Sequence, residues 1–205
     1  MSASTVRQTR VRMLGKHHVM IGCAGLLAAG VLCRNEGLQL LHAPDVTIGE
    51  TVIPGLPLLF LATAVGSLLP DIDHPGSAIS ETKIAGAPVL KPASHAISAV
   101  VGHRGATHSL LACALLLLFV GAFASQYGYQ PFVLALGIGY ALHLLADGFT
   151  RSGVPLLWPL TRFSFGFPPI SCLRFSTGGF LERVFTFSSV GACAWLVFTY
   201  GWPSF

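Results

Sequence analysis

Five apolar stretches, each close to the length of a bilayer span, set what this chain can fold into. They cover residues 17–33, 52–70, 107–125, 131–149 and 184–202. About 20 apolar residues carry a helix across a hydrocarbon core of about 30 Å. The expected fold is therefore all-α: a polytopic membrane helical bundle of five transmembrane helices. A basic tail over residues 1–16 precedes it, and residues 17–205 form a single domain. Composition agrees, because hydrophobic residues make up 53% of the chain and charged residues only 10%. The mean hydropathy of +0.69 lies above ordinary soluble usage. The first stretch is the weakest, diluted by Gly22, Gly25 and Gly30. No cleavage site of the Ala-x-Ala kind follows it, so it reads as a span rather than a signal peptide.

The basic residues orient the bundle. Arg7, Arg10, Arg12 and Lys16 precede span one; Lys83, Lys91 and Arg104 lie between spans two and three. Arg151, Arg162, Arg174 and Arg183 lie between spans four and five, which leaves Arg34 alone on the opposite side. Positive charge favours the cytoplasmic side, so the N-terminus is expected there and the C-terminus outside. The net charge of +4 then calls for anionic headgroups rather than nucleic acid. Membrane lipids are the expected partners, and oligomeric state is not read from the sequence. Cys23, Cys33, Cys113, Cys172 and Cys193 form no C-x-x-C pair and read as small apolar residues.

The loops differ by side. Gln126–Gln130 is a tight outer connection, and Arg34–Thr51 reads as a solvated outer loop. On the inner side, Pro88 and Pro92 interrupt any helix, with Ala93–Val101 a short interfacial helix after them. Residues 152–177 are apolar, aromatic and too rich in proline to span. Such a segment should lie in the interface or re-enter the bilayer, where Trp and Phe are favoured.

Against this apolar background, histidines and aspartates gather at four helix ends, all on the cytoplasmic side. They are His17-His18, Asp71-Ile72-Asp73-His74, His103-Arg104-Gly105-Ala106-Thr107-His108, and His143 with Asp147. Ionisable residues at membrane depth mark function, and imidazole with carboxylate suits zinc, manganese or iron. His143 and Asp147 share a helix face at i and i+4; the alternative for them is a hydrogen-bonded pair between packed helices. Asp71, Asp73 and Asp147 sit at helix C-termini, which disfavour anions, and so want a compensating cation. Arg104 or a divalent metal answers that, and only the metal also uses the histidines. Asp71 to Gly76 also has the composition of a turn. Arg104 suits bidentate phosphate or carboxylate binding, while Thr107 and Ser109 are natural N-cap residues. Of His17 and His18, one is expected to point inward and the other to the headgroups. His42 and His95 are assigned no role.

Leu69-Pro70-Asp71-Ile72-Asp73-His74-Pro75, Gly102-His103-Arg104-Gly105 with Thr107-His108-Ser109, His143 with Asp147, and Gly153-Val154-Pro155-Leu156-Leu157-Trp158-Pro159 form an ordered set of strings. Together they resemble the YdjM-like family of bacterial inner-membrane proteins, described as membrane-bound metal-dependent hydrolases. The resemblance runs from about His18 to Glu182. The family is itself similar to zinc-dependent phospholipase C and the P1-type nucleases, all-helical enzymes with a multi-zinc site and a His-x-x-x-Asp pair on one helix. His143 and Asp147 match that pair. The resemblance implies Asp71 or Asp73, His108 and His18 as further ligands, with Glu182 as a late one. The basic tail departs from the pattern.

The expected metal ligands are thus His18, Asp71, Asp73, His74, His103, His108, His143 and Asp147, and the expected cofactor is a divalent metal, zinc before manganese or iron. Such a metal lowers the pKa of bound water toward about 7 and polarises a phosphoryl oxygen. An uncoordinated Asp71 or Asp73 would be the general base, and Arg104 would hold developing negative charge. A lipid headgroup or lipid-linked phosphate is the expected substrate. A metal- or proton-coupled transporter is the alternative, although transport sites lie near the midplane and these clusters sit at one face. A non-catalytic protein with a structural metal is the third reading.

Overall fold

The structure is a computed structural model and describes residues 3–35, 42–101, 105–176 and 179–202. Among the described residues there are six α-helices: α1 Ala3–Asn35, α2 Gly55–Leu68, α3 Lys91–Val101, α4 Leu110–Ala124, α5 Gln130–Gly148 and α6 Phe180–Tyr200. Five of them supply segments long and apolar enough to cross a membrane: Gly15–Cys33, Gly55–Asp73, Leu110–Tyr127, Gln130–Gly148 and Phe180–Tyr200. The expected all-α membrane bundle is the fold observed, with each span shifted by no more than a few residues.

The shifts have local causes. Val52 and Ile53, expected at the start of span two, belong instead to a small hairpin, β1 Val46–Ile48 and β2 Thr51–Ile53. It pairs antiparallel with Thr47 opposite Val52, and Gly49 makes its turn at a positive φ of 61°. The hairpin presents Asp45, whose Oδ1 accepts from the Gly55 N–H at 2.8 Å and satisfies a first-turn donor of α2. Ala106–His108 forms a turn of 3-10 helix before α4. Ser109 is the N-cap, its Oγ accepting from Ala112 N at 3.1 Å. Helix α6 starts at Phe180, ahead of the expected 184, and so carries Glu182 on its first turn. The short helix expected over Ala93–Val101 is present as α3, begun two residues earlier with Pro92 in its first turn, and α1 continues back through the basic stretch to Ala3.

Helix α5 is the hub, packing against α1, α2 and α4, while α1 also meets α2 and α6. Small residues set these distances, as they do where lipid removes the hydrophobic drive between helices. A Cβ on Gly66 of α2 would stand 2.0 Å from the Leu136 carbonyl oxygen of α5, and one on Gly139 would stand 2.1 Å from that of Thr63. Two of the glycines that dilute span one have the same use. Gly22 lies against Ser67 and Gly25 against Leu142. The apolar core is small, built on Leu26, Leu59 and Ala135 at one level and Tyr140, Leu144 and Val154 at another. Polar side chains are prominent among what the bundle buries. His18, Asp73, His108, His143, Asp147 and Glu182 are all buried.

Candidate metal centre

Helix α2 ends at Leu68 and tightens into a 3-10 turn over Leu69–Asp73. Pro70 lies three residues beyond Ser67 and has no N–H to give its carbonyl. The Ser67 carbonyl instead accepts from His143 Nδ1 at 2.7 Å. A carbonyl can only accept, so His143 carries its proton on Nδ1 and presents the Nε2 lone pair. That atom is buried without a hydrogen bond and faces Asp71 Oδ1 at 3.9 Å. A ligating histidine typically donates its other ring N–H to a carbonyl or carboxylate in this way.

His108 is oriented by a comparable arrangement. The Thr107 hydroxyl donates to Asp73 Oδ2 at 2.5 Å, leaving its oxygen to accept from His108 Nδ1 at 3.2 Å. Asp73 Oδ2 is itself 3.5 Å from that nitrogen. The Tyr140 hydroxyl donates to the Thr107 carbonyl and ties this turn to α5. His108 Nε2 then looks into the centre, 3.8 Å from Asp71 Oδ1 and 3.7 Å from Asp147 Oδ2. The other oxygen of Asp147 is 3.4 Å from His18 Nε2. His18 stacks on His143 with ring centroids 3.9 Å apart.

Two ligand sets therefore interlock: His18, His143 and Asp147, and Asp71, His108 and His143. Within each, the donor atoms lie within 4.8 Å of one another. Five side chains converge from four segments: His18 from α1, Asp71 from the end of α2, His108 from before α4, and His143 with Asp147 from α5. Three imidazoles and two carboxylates, with the Nε2 atoms of His108 and His143 turned inward and their Nδ1 atoms held from outside, fit a divalent metal. Two carboxylates this close, Asp147 buried and Asp71 half-buried, also need a cation to offset their charge.

The structure sorts the remaining sequence candidates. Asp73 is buried but lies behind His108 rather than beside the inward-facing nitrogens. His74 is half-buried at the end of the 3-10 turn and joins neither ligand set. His103 and Arg104 lie outside the described residues. One expectation is corrected: His17 does not turn to the headgroups. Both His17 and His18 are buried, because two different helices face α1 there. His18 meets α5, while His17 Nδ1 donates to Glu182 Oε1 of α6 at 2.5 Å. A cavity of about 10 Å³, lined by His17, His18, Asp147, Thr150 and Glu182, separates this pair from the centre. It has room for about one water molecule. Sequence reasoning did not find the Ser67 carbonyl, the Thr107 bridge or the Tyr140 tie. Only Pro70, which frees the carbonyl, left a mark in the sequence.

Fold and site together define a polytopic helical membrane protein with a buried His/Asp centre at one end of its bundle. The chain belongs to the family described as YdjM inner membrane protein, whose profile matches residues 13–203. It is 46% identical over 107 residues to the inner membrane protein YdjM of Escherichia coli (strain K12) and to that of Shigella flexneri. That match covers 49% of this chain and 48% of each relative, so the chain spans about half the length of those relatives. It is also 32% identical over 150 residues to the uncharacterized protein YvsG of Bacillus subtilis (strain 168), covering 73% of this chain and 75% of that one. No solved structure matches the chain.

Proposed function

We propose that this protein is a membrane-bound, metal-dependent hydrolase of the inner membrane, acting at the cytoplasmic leaflet on a phosphoester of a lipid headgroup or lipid-linked phosphate. The observation that carries the reading is the convergence of five donors, among which His108 and His143 already have Nδ1 held, above all His143 between the Ser67 carbonyl and Asp71. A divalent metal bound there, zinc before manganese or iron, supplies Lewis-acid polarisation of a phosphoryl oxygen and acidifies water. His18, His108, His143 and Asp147 hold it. Asp71 also faces it, and with a side chain 15% exposed it is the member of the set a substrate reaches. It is therefore the carboxylate suited to take a proton from the attacking water. Asp73 acts through Thr107 and His108 as a positioning residue. Arg104, two residues before Ala106 in the sequence, is the cation assigned to the phosphoryl oxygens.

The basic loops at the same end of the bundle support the cytoplasmic orientation. Among the described residues no Asp, Glu, Lys or Arg lies in the middle of a span, which speaks against a transport path across the midplane. A second reading has an observation of its own: the side chains of four of the five donors are 6% exposed or less. So enclosed a set is also what a purely structural metal would have. Purified protein loaded with zinc or manganese separates the two. Hydrolysis of a lipid or soluble phosphoester, abolished by a chelator and by Asp147→Ala, is the result expected. Stoichiometric metal with no turnover across a panel of headgroup-bearing lipids and soluble phosphoesters would leave the structural reading standing.

A further inference from the structure

We propose that the apolar cleft between α4, α5 and the 154–167 segment holds an acyl chain of the lipid whose phosphoester reaches the His/Asp centre. The inference rests on the hydrolase reading and adds to it the part of the substrate that is not cleaved. The cleft has a volume of about 440 Å³ and is lined by Cys113, Ala141, Leu144, Leu145, Val154 and Phe167 among others. That volume falls within the range of about 300–1,000 Å³ typical of small-molecule pockets.

Its walls are built rather than left over. Residues 154–167 form a return, closed by a Val154–Phe165 bridge. The return is fastened to both helices. Leu110 N, an otherwise unpaired donor at the start of α4, donates to the Leu156 carbonyl at 2.9 Å, and Phe167 N donates to the Gly148 carbonyl at 2.8 Å. A stretch too rich in proline to span is thereby held against the outer face of the bundle, and a recess remains under it. The rims stay open, with Leu145 57% and Phe167 64% exposed. Because α4 and α5 are spans, lipid is what meets that opening.

Position decides between a boundary lipid and a substrate chain. The cleft uses Ala141, Leu144, Leu145 and Gly148 of α5, while the centre uses His143 and Asp147 of the same two turns. On a helix of 3.6 residues per turn these are adjoining faces at one depth. Leu110 stands two residues after His108 in the same way. From Ala141 to Gly148 the recess follows the helix axis for about 10 Å at 1.5 Å per residue, the direction in which a lipid chain runs from its headgroup. A second apolar cleft of about 450 Å³, lined by Val120, Phe123 and Tyr127, lies at the far end of α4 and α5. It has no such neighbour and serves as an internal control.

The test uses full-length protein in vesicles containing a trace of phosphatidylethanolamine with a diazirine on one acyl chain. Photolabel should concentrate on the peptides of residues 141–149 and 154–167. Ala141→Trp, or Leu145→Trp should the first variant fail to fold, should reduce that labelling at least several-fold at unchanged metal content. Val120→Trp should leave it unchanged. In parallel, the cleft-filling variants should lose about tenfold or more of turnover on a long-chain phosphoester and keep turnover on a soluble aryl phosphate. Labelling spread equally over both clefts, or insensitive to Ala141→Trp and Leu145→Trp, would overturn the proposal, as would equal loss on both substrates. Wild-type protein inactive on every phosphoester would instead remove the hydrolase reading, and with it the claim that the chain belongs to a substrate.

Discussion

The imidazole of His143 shows how a single residue is specified from outside. Its Nδ1 proton has one acceptor, the Ser67 carbonyl, so its tautomer is fixed before any metal arrives. His143→Ala and Asp147→Ala should therefore each remove most bound metal, measured by elemental analysis of purified protein. Full stoichiometry in both variants would exclude the pair as ligands. Thr107 offers a finer test. Thr107→Val keeps the shape but removes the hydroxyl between Asp73 and His108. Losing such a support typically costs 10- to 100-fold in metal affinity. We expect at least about a tenfold rise in the zinc dissociation constant, read by competition with a chelator, with the helical content unchanged.

Elements meet where residues are smallest. Helices α2 and α5 touch backbone to backbone at Gly66 and Gly139, and that contact sets the distance between Ser67 and His143. Gly66→Ala would place a methyl against the Leu136 carbonyl, which backbone cannot yield cheaply. Overpacking of this kind costs about 1–3 kcal/mol. Thermal unfolding in detergent should show the loss, and weaker metal binding should accompany it. An unchanged melting temperature would show that the two helices are free to separate there. The same elements show what was legible in the sequence. The spans were, because lipid demands long apolar runs and the chain has five. The clusters at their ends were, because charge is scarce enough for each to stand out. The partner of each residue was not. His17 and Glu182 are far apart in the chain, and nothing local says that α1 and α6 are neighbours. Gly22 and Gly25 of span one read as weakness in hydropathy and are contacts between helices. Carbonyl acceptors such as that of Ser67 carry no side-chain signature at all.

At the scale of the molecule, an odd number of spans would put the two termini of the chain on opposite sides of the membrane. A reporter fused after Phe205 should read as periplasmic, and one placed within residues 76–101 as cytoplasmic. The same side for both would dissolve the shared end on which the centre depends. Closure of the bundle also runs from first helix to last, through His17 of α1 and Glu182 of α6.

The scattering of the donors over four segments has a consequence for how the protein is made. During synthesis His18 enters the membrane with the first span, whereas His143 and Asp147 arrive only with the fourth. Until then neither donor set is complete, because each includes His143, although Asp71 and His108 arrive earlier. A metal bound at this centre, as proposed, would be captured only once the fourth of the five spans is in place. Because a site absent from the unassembled chain returns its binding energy as folding energy, such loading would act as a check that the first four spans have found one another. A chain halted before the fourth span should stay empty, and so should be more open to degradation than its length alone would suggest.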